Sequence, residues 1–502
     1  MKKTLRFAAS FLLPAVLTII FTSCLRQKAD ASGTEMRYGI ASEPATFDPL
    51  SPSNTADGRS ILFNVFEGLV KPDTEGRLLP CIAESVTVEE LGRVYRFKLR
   101  ENVRFHDGSP LTSTDVKFSL ETAQAAGFTG LDSIEDIETG GDYDIHLTLR
   151  RPDPEFLPYL TVGIVKADSV DRENNAIGTG PYYIESYTVQ QSLVLRKFND
   201  YWQDNVPNLE KITVLFFADS DAMILGLHGG SIDGATFYSG HAHQLSRERF
   251  DIIPGYSAAV QLLALNNAAA PLNDIRVRRA INYGINVQEI IDTAFYGRGE
   301  PSGSPLIPGL AVYYNQSLSD PYPYDPEYAR ALLAEAGFDE GGQSLSLVIT
   351  VPSNFTMHVD TAQVITGQLA RIGIQAGIQL VDWATWLSDV YRDRNYQATI
   401  ISLDSPHVSP QSFLIRYRSD NNGNFINFSD AGFDEVIDAT LIETNEDMRI
   451  ALYKEAQQIV SDNAASAFIQ DIMRFRAFRA GAYGGVLNYP LYAIDFASMY
   501  SR

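Results

Sequence analysis

The stretch YRFKLRENVRFHDGSPLTSTDV, residues 95–116, carries the strongest local structural signals in the chain. Its first six residues alternate between apolar and basic side chains, which predicts a half-buried strand over 95–100. Asp107-Gly108 predicts a turn, and Thr112 with Asp115 three residues later predicts a capped helix. Strand and helix signals alternate in this way along the whole chain, so we expect an α/β fold.

Both ends of a helix are marked at 326–336. Asp325 is a cap residue, Pro326 suits the first helical position, and Gly337 suits the end. The predicted buried stripe of this helix is Tyr328, Ala329, Leu332, Leu333 and Ala336. A helical apolar period also runs over 275–295, and another amphipathic helix is predicted at 452–460.

Composition excludes several classes of protein. The 502 residues are 45% hydrophobic and 20% charged, which is enough apolar material for two or three globular domains. The formal net charge of −22 repels phosphate backbones and argues against nucleic acid as a partner. The chain has two cysteines, Cys24 and Cys81, and is expected to be held by its apolar cores.

The N-terminus reads as a targeting segment. Basic residues lead into an apolar run over 7–21 and then into Thr22-Ser23-Cys24. This order is typical of a lipoprotein signal, in which Cys24 is lipidated and becomes the first residue, although Phe21 stands where Leu is usual. Ordinary signal-peptide cleavage nearby is the alternative. We expect a signal peptide over 1–23, a tether over 24–34, and a cell-envelope location with a membrane anchor.

The residues 82–85 and 95–116 together resemble the signature of the family 5 extracellular solute-binding proteins. These are the oligopeptide-, dipeptide- and nickel-binding receptors of ABC importers. Further matching landmarks follow in the same order, and the resemblance covers roughly residues 36–500. They are Glu43-Pro44, Phe47-Asp48-Pro49, Gly178-Thr179-Gly180-Pro181-Tyr182, Asn199-Asp200-Tyr201-Trp202, Gly230-Ser231-Ile232-Asp233, Asn266-Asn267, 271–278 and 324–338.

The resemblance implies an α/β, two-lobed periplasmic-binding-protein fold of the large peptide-binding type, with two crossing strands joining the lobes. It places lobe 1 at 35–260, with an inserted subdomain at about 76–175. Lobe 2 is expected at 261–468, and 469–502 is expected to return to lobe 1. Ligand would bind between the lobes and be enclosed as they close. A monomer without cofactor or metal is expected, with an ABC permease as its membrane partner.

The resemblance also implies ligand contacts in lobe 2. Peptide-binding members hold the α-ammonium with an Asp in a loop of the form D-Y-x-D-P. Counting back from Pro410, that position holds Pro406 here, and Asp404 lies two residues earlier. Asp404 is therefore either the anchor or a turn-capping residue, and His407 in the same loop is a further candidate. Glu43, in the loop that resembles the family's opening segment, is also a predicted ligand contact.

Aromatic and crossing-strand residues complete the predicted site. Trp383 and Trp386 resemble the family's aromatic segment near the cleft, and either ring could instead belong to a core. At the crossings, where peptide binders often carry Tyr, this chain has Gln261, Gln470 and Asp471. Asp471 is thereby a second candidate for the ammonium anchor.

The predicted function is the extracytoplasmic substrate-binding component of an ABC importer that takes up a peptide or peptide-like solute. A metal chelate, opine or sugar on the same fold, or a sensor without transport, remains the alternative. An enzyme is not expected, because 226–231 resembles an esterase loop without the G-x-S-x-G elbow that would accompany it. His241 and His243 are two residues apart, and a plain surface loop is preferred to a metal site.

Overall fold

The computed structural model describes residues 34–502 except 42, 168, 339–343, 406, 408 and 492. The predicted signal peptide, Cys24 and the tether up to 33 lie outside the described residues, and so does Pro406. Among the helices that are described, none is long and apolar enough to cross a membrane.

The elements are numbered along the described chain. The strands are β1 (Glu35–Ile40), β2 (Val70–Pro72), β3 (Leu78–Pro80), β4 (Ala83–Glu89), β5 (Val94–Leu99), β6 (Ile134–Thr139), β7 (Asp144–Leu149), β8 (Tyr182–Thr188), β9 (Ser192–Lys197), β10 (Lys211–Phe216), β11 (Gly234–Tyr238), β12 (Phe250–Gly255), β13 (Ala259–Leu265), β14 (Glu300–Pro301), β15 (Leu345–Pro352), β16 (Ile374–Val381), β17 (Ala398–Asp404), β18 (Ser466–Asp471), β19 (Arg474–Arg479), β20 (Tyr483–Gly484) and β21 (Tyr500–Ser501).

The α-helices are α1 (Ala56–Leu62), α2 (Ser113–Ala125), α3 (Ser220–Gly229), α4 (Ser239–Ala242), α5 (Ile275–Gly284), α6 (Val287–Ala294), α7 (Pro326–Glu335), α8 (Thr356–Arg371), α9 (Trp383–Thr385), α10 (Pro410–Leu414), α11 (Ala431–Thr440) and α12 (Glu446–Asp462). A π-helical segment, Trp386–Arg392, continues α9.

Lobe 1 is built on a seven-stranded sheet in the order β12-β19-β11-β1-β10-β9-β8. β1 pairs in parallel with both β10 and β11 at its centre. The buried rings of Tyr38 and Phe496 meet edge-on at 5.3 Å in the core under this sheet, so the C-terminal segment is part of lobe 1.

An inserted subdomain contains residues 95–116. Its four-stranded antiparallel sheet has the order β4-β5-β7-β6 and packs against α2. In β5 the alternation is as predicted, because Tyr95, Phe97 and Leu99 are buried and Arg96 is exposed. The capping box between Thr112 and Asp115 is also present at the start of α2.

Lobe 2 is built on a six-stranded sheet in the order β14-β18-β13-β17-β15-β16. β15 is parallel to β16 and β17, whereas β13 is antiparallel to β17 and β18. α8 packs on one face through Ala362, Ile365 and Leu369. A second apolar cluster around Trp386, Tyr417 and Phe433 belongs to the same lobe.

Two short links join the lobes, at 256–258 and 472–473. The sheet order places all of β13 and β18 in lobe 2, and β12 and β19 in lobe 1. The junctions therefore lie a few residues from the predicted boundaries at 260/261 and 468/469. The predicted two-lobed fold with two crossing strands is confirmed, with the crossing strands counted as part of the second sheet.

Both predicted ends of α7 are correct. The predicted burial of Tyr328 and the single helix predicted at 275–295 are wrong. Asp325 caps α7 by accepting from the Tyr328 amide, and Gly337 adopts a φ of 92° after its end, as predicted. Tyr328 was expected in the buried stripe but is 47% exposed, because its ring packs edge-on against Tyr283 at the helix surface. The single helix predicted at 275–295 is two helices, since Ile285 is extended and Asn286 caps α6.

Candidate functional site between the lobes

The topology places the cleft between the lobes at the carboxyl ends of parallel strands. In lobe 1, β1, β10 and β11 end at the same edge, and β19 begins there after the second link. In lobe 2, β15, β16, β17 and β18 end at a common edge, where β13 begins. The links at 256–258 and 472–473 join these two edges. Carboxyl ends of strands are where open α/β sheets bind ligands.

Most of the predicted contacts of lobe 2 lie at this edge. Trp383 follows the end of β16, Asp404 ends β17 with His407 just beyond it, and Asp471 ends β18. Gln261 and Gln470 face each other one rung further into the sheet. The structure thus brings together residues that are distant in sequence.

Asp471 is a fully buried carboxylate beside the first link. Its Oδ1 accepts hydrogen bonds from Ser257, from the amide nitrogen at 3.2 Å and from Oγ at 2.9 Å, while Oδ2 is buried without a hydrogen-bond partner. Burial raises the pKa of Asp471 to about 7, and nearby Glu300 adds to the rise, while the Ser257 hydrogen bonds and Arg474 oppose it. The site therefore holds a carboxyl group whose charge is only partly compensated.

Asp404 differs from Asp471 in exposure and direction. Val260 pairs with both Leu403 and Asp471, whereas Ala259 pairs with Asp404. Because paired residues share a face and successive residues alternate, the two aspartates project from opposite faces of the sheet. Asp404 is exposed, and its carbonyl oxygen accepts from Arg416 at 2.6 Å. One solute group cannot be held by both carboxylates in this arrangement.

Gln261 and Gln470 form a polar chain that the sequence did not reveal. Gln470 Nε2 donates to Gln261 Oε1 at 2.9 Å, and Gln261 Nε2 donates to His358 Nδ1 and Thr361 Oγ1, both at 3.0 Å. All four residues, which we call the hinge network, are buried. His358 and Thr361 are inward-facing polar residues of the amphipathic helix α8, and that pattern is the one signal that could have indicated them.

Trp383 and Trp386 form a parallel stack, with ring centroids 5.0 Å apart and planes 4° apart. Trp383 is 39% exposed, whereas Trp386 is 3% exposed and donates from Nε1 to Thr399 Oγ1 at 2.9 Å. Phe355 meets Trp383 edge-on at 5.5 Å. We call Phe355, Trp383 and Trp386 the aromatic wall. Trp383 is its outermost indole, and direct ligand contact by Trp386 stays a prediction.

His407 packs across the interface between the lobes. Its ring meets that of Tyr159, in lobe 1, in a T-shaped contact at 5.0 Å. Burial lowers the pKa of His407 to about 4, with a smaller contribution from nearby Arg59. The ring is therefore neutral at physiological pH and already contacts the other lobe, and a contact with ligand stays a prediction.

Glu43 lies at the carboxyl end of β1 but is directed along the sheet, away from the links. Its Oε1 accepts from the Tyr187 hydroxyl and, at 2.8 Å, from the Gln190 amide in the β8–β9 hairpin. That hairpin is at the opposite edge of the seven-stranded sheet from β12 and β19. Its predicted role in ligand binding stays a prediction, and these contacts give it a structural one.

His241 lies in the short helix α4, and His243 follows directly after it. His243 stacks on Tyr296 of lobe 2, with ring centroids 3.8 Å apart and planes at 7°. The stacking of His243 on Tyr296 is therefore another contact between the lobes. Within the described ranges, no cluster of three or more His, Cys, Asp or Glu side chains could hold a metal ion.

Comparison with known proteins identifies the class. The sequence profile of the bacterial extracellular solute-binding proteins, family 5 (middle), matches residues 77–425. Heme-binding protein A of Haemophilus influenzae is 25% identical over 523 residues, covering 92% of each chain. The dipeptide-binding protein of Escherichia coli is 25% identical over 509 residues, covering 92% of this chain and 93% of the relative. The glutathione-binding protein GsiB of Shigella flexneri is 27% identical over 73% of this chain and 72% of its own.

Solved structures show the same fold. HbpA2 from Haemophilus parasuis superposes with a TM-score of 0.84 at 22% identity, covering 93% of this chain and all of that one. DppA from Helicobacter pylori, solved with the peptide STSA, gives 0.69 at 22% identity over 93% and 98%. The chain belongs to the bacterial extracellular solute-binding proteins of family 5. The predicted class, the substrate-binding component of an ABC importer, is confirmed at the level of this family.

Proposed function

We propose that the protein captures a peptide or peptide-like solute between its lobes and that Asp471 holds the solute's ammonium group. The observation that carries this proposal is the arrangement of the Asp471 carboxylate. It is fully buried beside the link between the lobes, one oxygen is fixed by Ser257, and the other has no hydrogen-bond partner.

A buried carboxylate in this condition favours a cationic ligand. A charge removed from water costs free energy unless it is paired and hydrogen-bonded. The rise in the pKa of Asp471 reflects that cost of burial. An ammonium group beside Oδ2 would offset this free-energy cost, whereas an anionic or purely apolar solute would not. Dipeptides and glutathione, which are named for two of the relatives, both carry a free ammonium group.

The aromatic wall supplies the second part of the proposed site. The exposed face of Trp383, backed by Trp386, offers an apolar surface that accepts varied side chains without demanding one sequence. An ammonium anchor combined with an aromatic surface suits peptides, because they share an N-terminal ammonium group and differ in their side chains. Asp404 is the runner-up for the anchor.

The closed protein would deliver the solute to an ABC permease. Lipidation of Cys24 would keep it at the membrane surface, where encounters with the permease are frequent. Catalysis is not part of the proposal, which rests on binding and release. The supporting comparison is DppA from Helicobacter pylori, an ABC transporter-associated periplasmic binding protein.

Mass spectrometry of the solute released from natively purified, denatured protein tests the proposal. A compound with a primary ammonium group, bound one per chain, is expected. A metal chelate, an opine or a sugar without an ammonium group would contradict the proposed anchor.

A further inference from the structure

The hinge network fixes one protonation state of His358. The side-chain amide nitrogen of Gln261 donates both of its hydrogens, one to Thr361 Oγ1 and one to His358 Nδ1. Nδ1 must then be an acceptor, and the ring is neutral with its proton on Nε2. Burial lowers the pKa of His358 to about 4, in agreement with that assignment.

The other end of the network is fixed by close packing. Gln470 donates to Gln261 Oε1, and both residues lie on crossing strands. A Cβ added at Gly299 would lie 1.9 Å from Gln470 Oε1, so a larger residue at this position would force the Gln470 side chain to move. The position of Gln470 therefore depends on both crossing strands and on β14.

His358 also contacts the aromatic wall. Its ring centroid is 5.5 Å from that of Phe355, which in turn meets Trp383 edge-on at 5.5 Å. Trp383 then stacks on Trp386, whose N–H is held by Thr399 of β17. A continuous series of contacts thus runs from the crossing strands to the exposed indole.

The composition of the network argues that its role is geometric. The rest of the interface between α8 and the sheet is apolar, with Ala362, Ile365 and Leu369 packed against strand residues. Apolar side chains of similar volume would fill the same space without the cost of burying two amides and an imidazole. The hydrogen bonds of Gln261 instead tie the imidazole of His358 and the amide of Gln470 into one arrangement, although Gln470 Oε1 itself is buried without a partner.

We propose that His358 is a positioning residue that, through Gln261 and Gln470, couples the crossing strands at the hinge to the orientation of Trp383 in the aromatic wall. The inference rests on the proposed function only for the role of Trp383 as a solute-binding surface. The coupling itself is a property of the solute-free protein. It makes the shape of the apolar half of the cleft dependent on how β13 and β18, the strands that lead into the two links between the lobes, are held against each other.

Fluorine NMR of the full mature protein, labelled with 5-fluorotryptophan, tests the coupling without any solute. The chain has three tryptophans, and Trp383→Phe assigns the resonance of interest. His358→Leu removes the acceptor for Gln261, and Gln470→Met breaks the network at its far end with a side chain of similar length. Ile365→Val disturbs the same buried face of α8 but leaves the network and the His358 ring in place. His146→Leu, on β7 of the subdomain, is the matched control.

The Trp383 resonance is expected to shift by more than its linewidth in His358→Leu and in Gln470→Met, with the Trp202 resonance unchanged. It should stay within its linewidth in Ile365→Val and His146→Leu. An unshifted Trp383 resonance in Gln470→Met overturns the coupling, also if His358→Leu fails to fold. A shift of equal size in Ile365→Val overturns it as well, because any disturbance of the core would then suffice. If Asp471 proved not to bind an ammonium group, the expected results of this experiment would be the same.

Discussion

Arg449 and Glu155 form a buried ion pair between the two lobes, with Nε 2.5 Å from Oε1. Their side chains are 12% and 5% exposed. Glu155 follows β7 of the subdomain, and Arg449 lies on α12 of lobe 2. Burial raises the pKa of Glu155 to about 7, although Arg449 and the Tyr453 hydroxyl oppose the rise. The pair joins the inserted subdomain of lobe 1 to lobe 2.

Breaking this pair is expected to destabilise the protein unequally from its two sides. Glu155→Leu leaves a buried guanidinium without an opposite charge and should cost about 3–5 kcal/mol of the free energy of unfolding. Arg449→Met should cost less, because the stranded carboxyl group of Glu155 can take up a proton and a guanidinium cannot readily lose one. Denaturant unfolding of both variants measures the difference.

The double variant Glu155→Leu/Arg449→Met is the control for that experiment. It removes both charges, so its loss of stability should be smaller than the sum of the two single losses. Additive losses would show that the two charges do not interact.

The titration of Asp471 predicts how stability depends on pH in the solute-free protein. Its pKa in the folded state, about 7, is above the ordinary value of 3.8. Between these values the folded protein binds the extra proton, so the free energy of unfolding falls as pH rises, by up to about 1.4 kcal/mol per pH unit for one group.

Asp471→Asn cannot titrate and should lose this dependence. Relative to the wild type, it should become progressively more stable from pH 4 to pH 7. Glu155 contributes a dependence of the same sign to both proteins, which cancels in the difference. Thermal unfolding over this pH range, with Asp404→Asn as the matched exposed control, checks the expectation. A constant difference between wild type and Asp471→Asn would contradict the proposed burial of the charge.

Lipidation of Cys24 predicts detergent-phase partitioning of the native protein. Cys24→Ala should move it to the aqueous phase, because the acyl chains are the only proposed anchor. Equal aqueous partitioning of both proteins would mean that the signal is cleaved without lipidation.

Closure of the lobes predicts a smaller radius of gyration with bound solute. Small-angle X-ray scattering of stripped protein, before and after adding the solute identified by mass spectrometry, measures it. An unchanged radius would place binding elsewhere than between the lobes. The Glu155→Leu variant is expected to start from a larger radius, since it lacks one of the contacts between the lobes.

Much of the fold could be predicted where local chemistry marks it. β5, the capping box of α2 and both ends of α7 depend on neighbouring residues, and all three were correct. The break between α5 and α6 could not be seen, because the apolar period continues across Ile285. Tyr328 was misplaced because an aromatic ring can satisfy the helical period and still pack at the surface.

The site was harder to predict than the fold, because it depends on register. The resemblance to the family places both Asp404 and Asp471 near the cleft. Only the strand register, in which Ala259 pairs with Asp404 and Val260 with Asp471, shows that they point to opposite faces of the sheet. His358 lies on an ordinary amphipathic helix, and its role becomes visible only when Gln261 is placed beside it.

Titration calorimetry of Asp471→Asn and Asp404→Asn with the identified solute tests the central claim most directly. Asp471→Asn strands the solute's ammonium group in a buried site, so affinity should fall by about 2–5 kcal/mol, or roughly thirty- to several-thousand-fold. Asp404→Asn should bind within a few fold of the wild type. Normal binding by Asp471→Asn, or a large loss confined to Asp404→Asn, would contradict the proposed anchor.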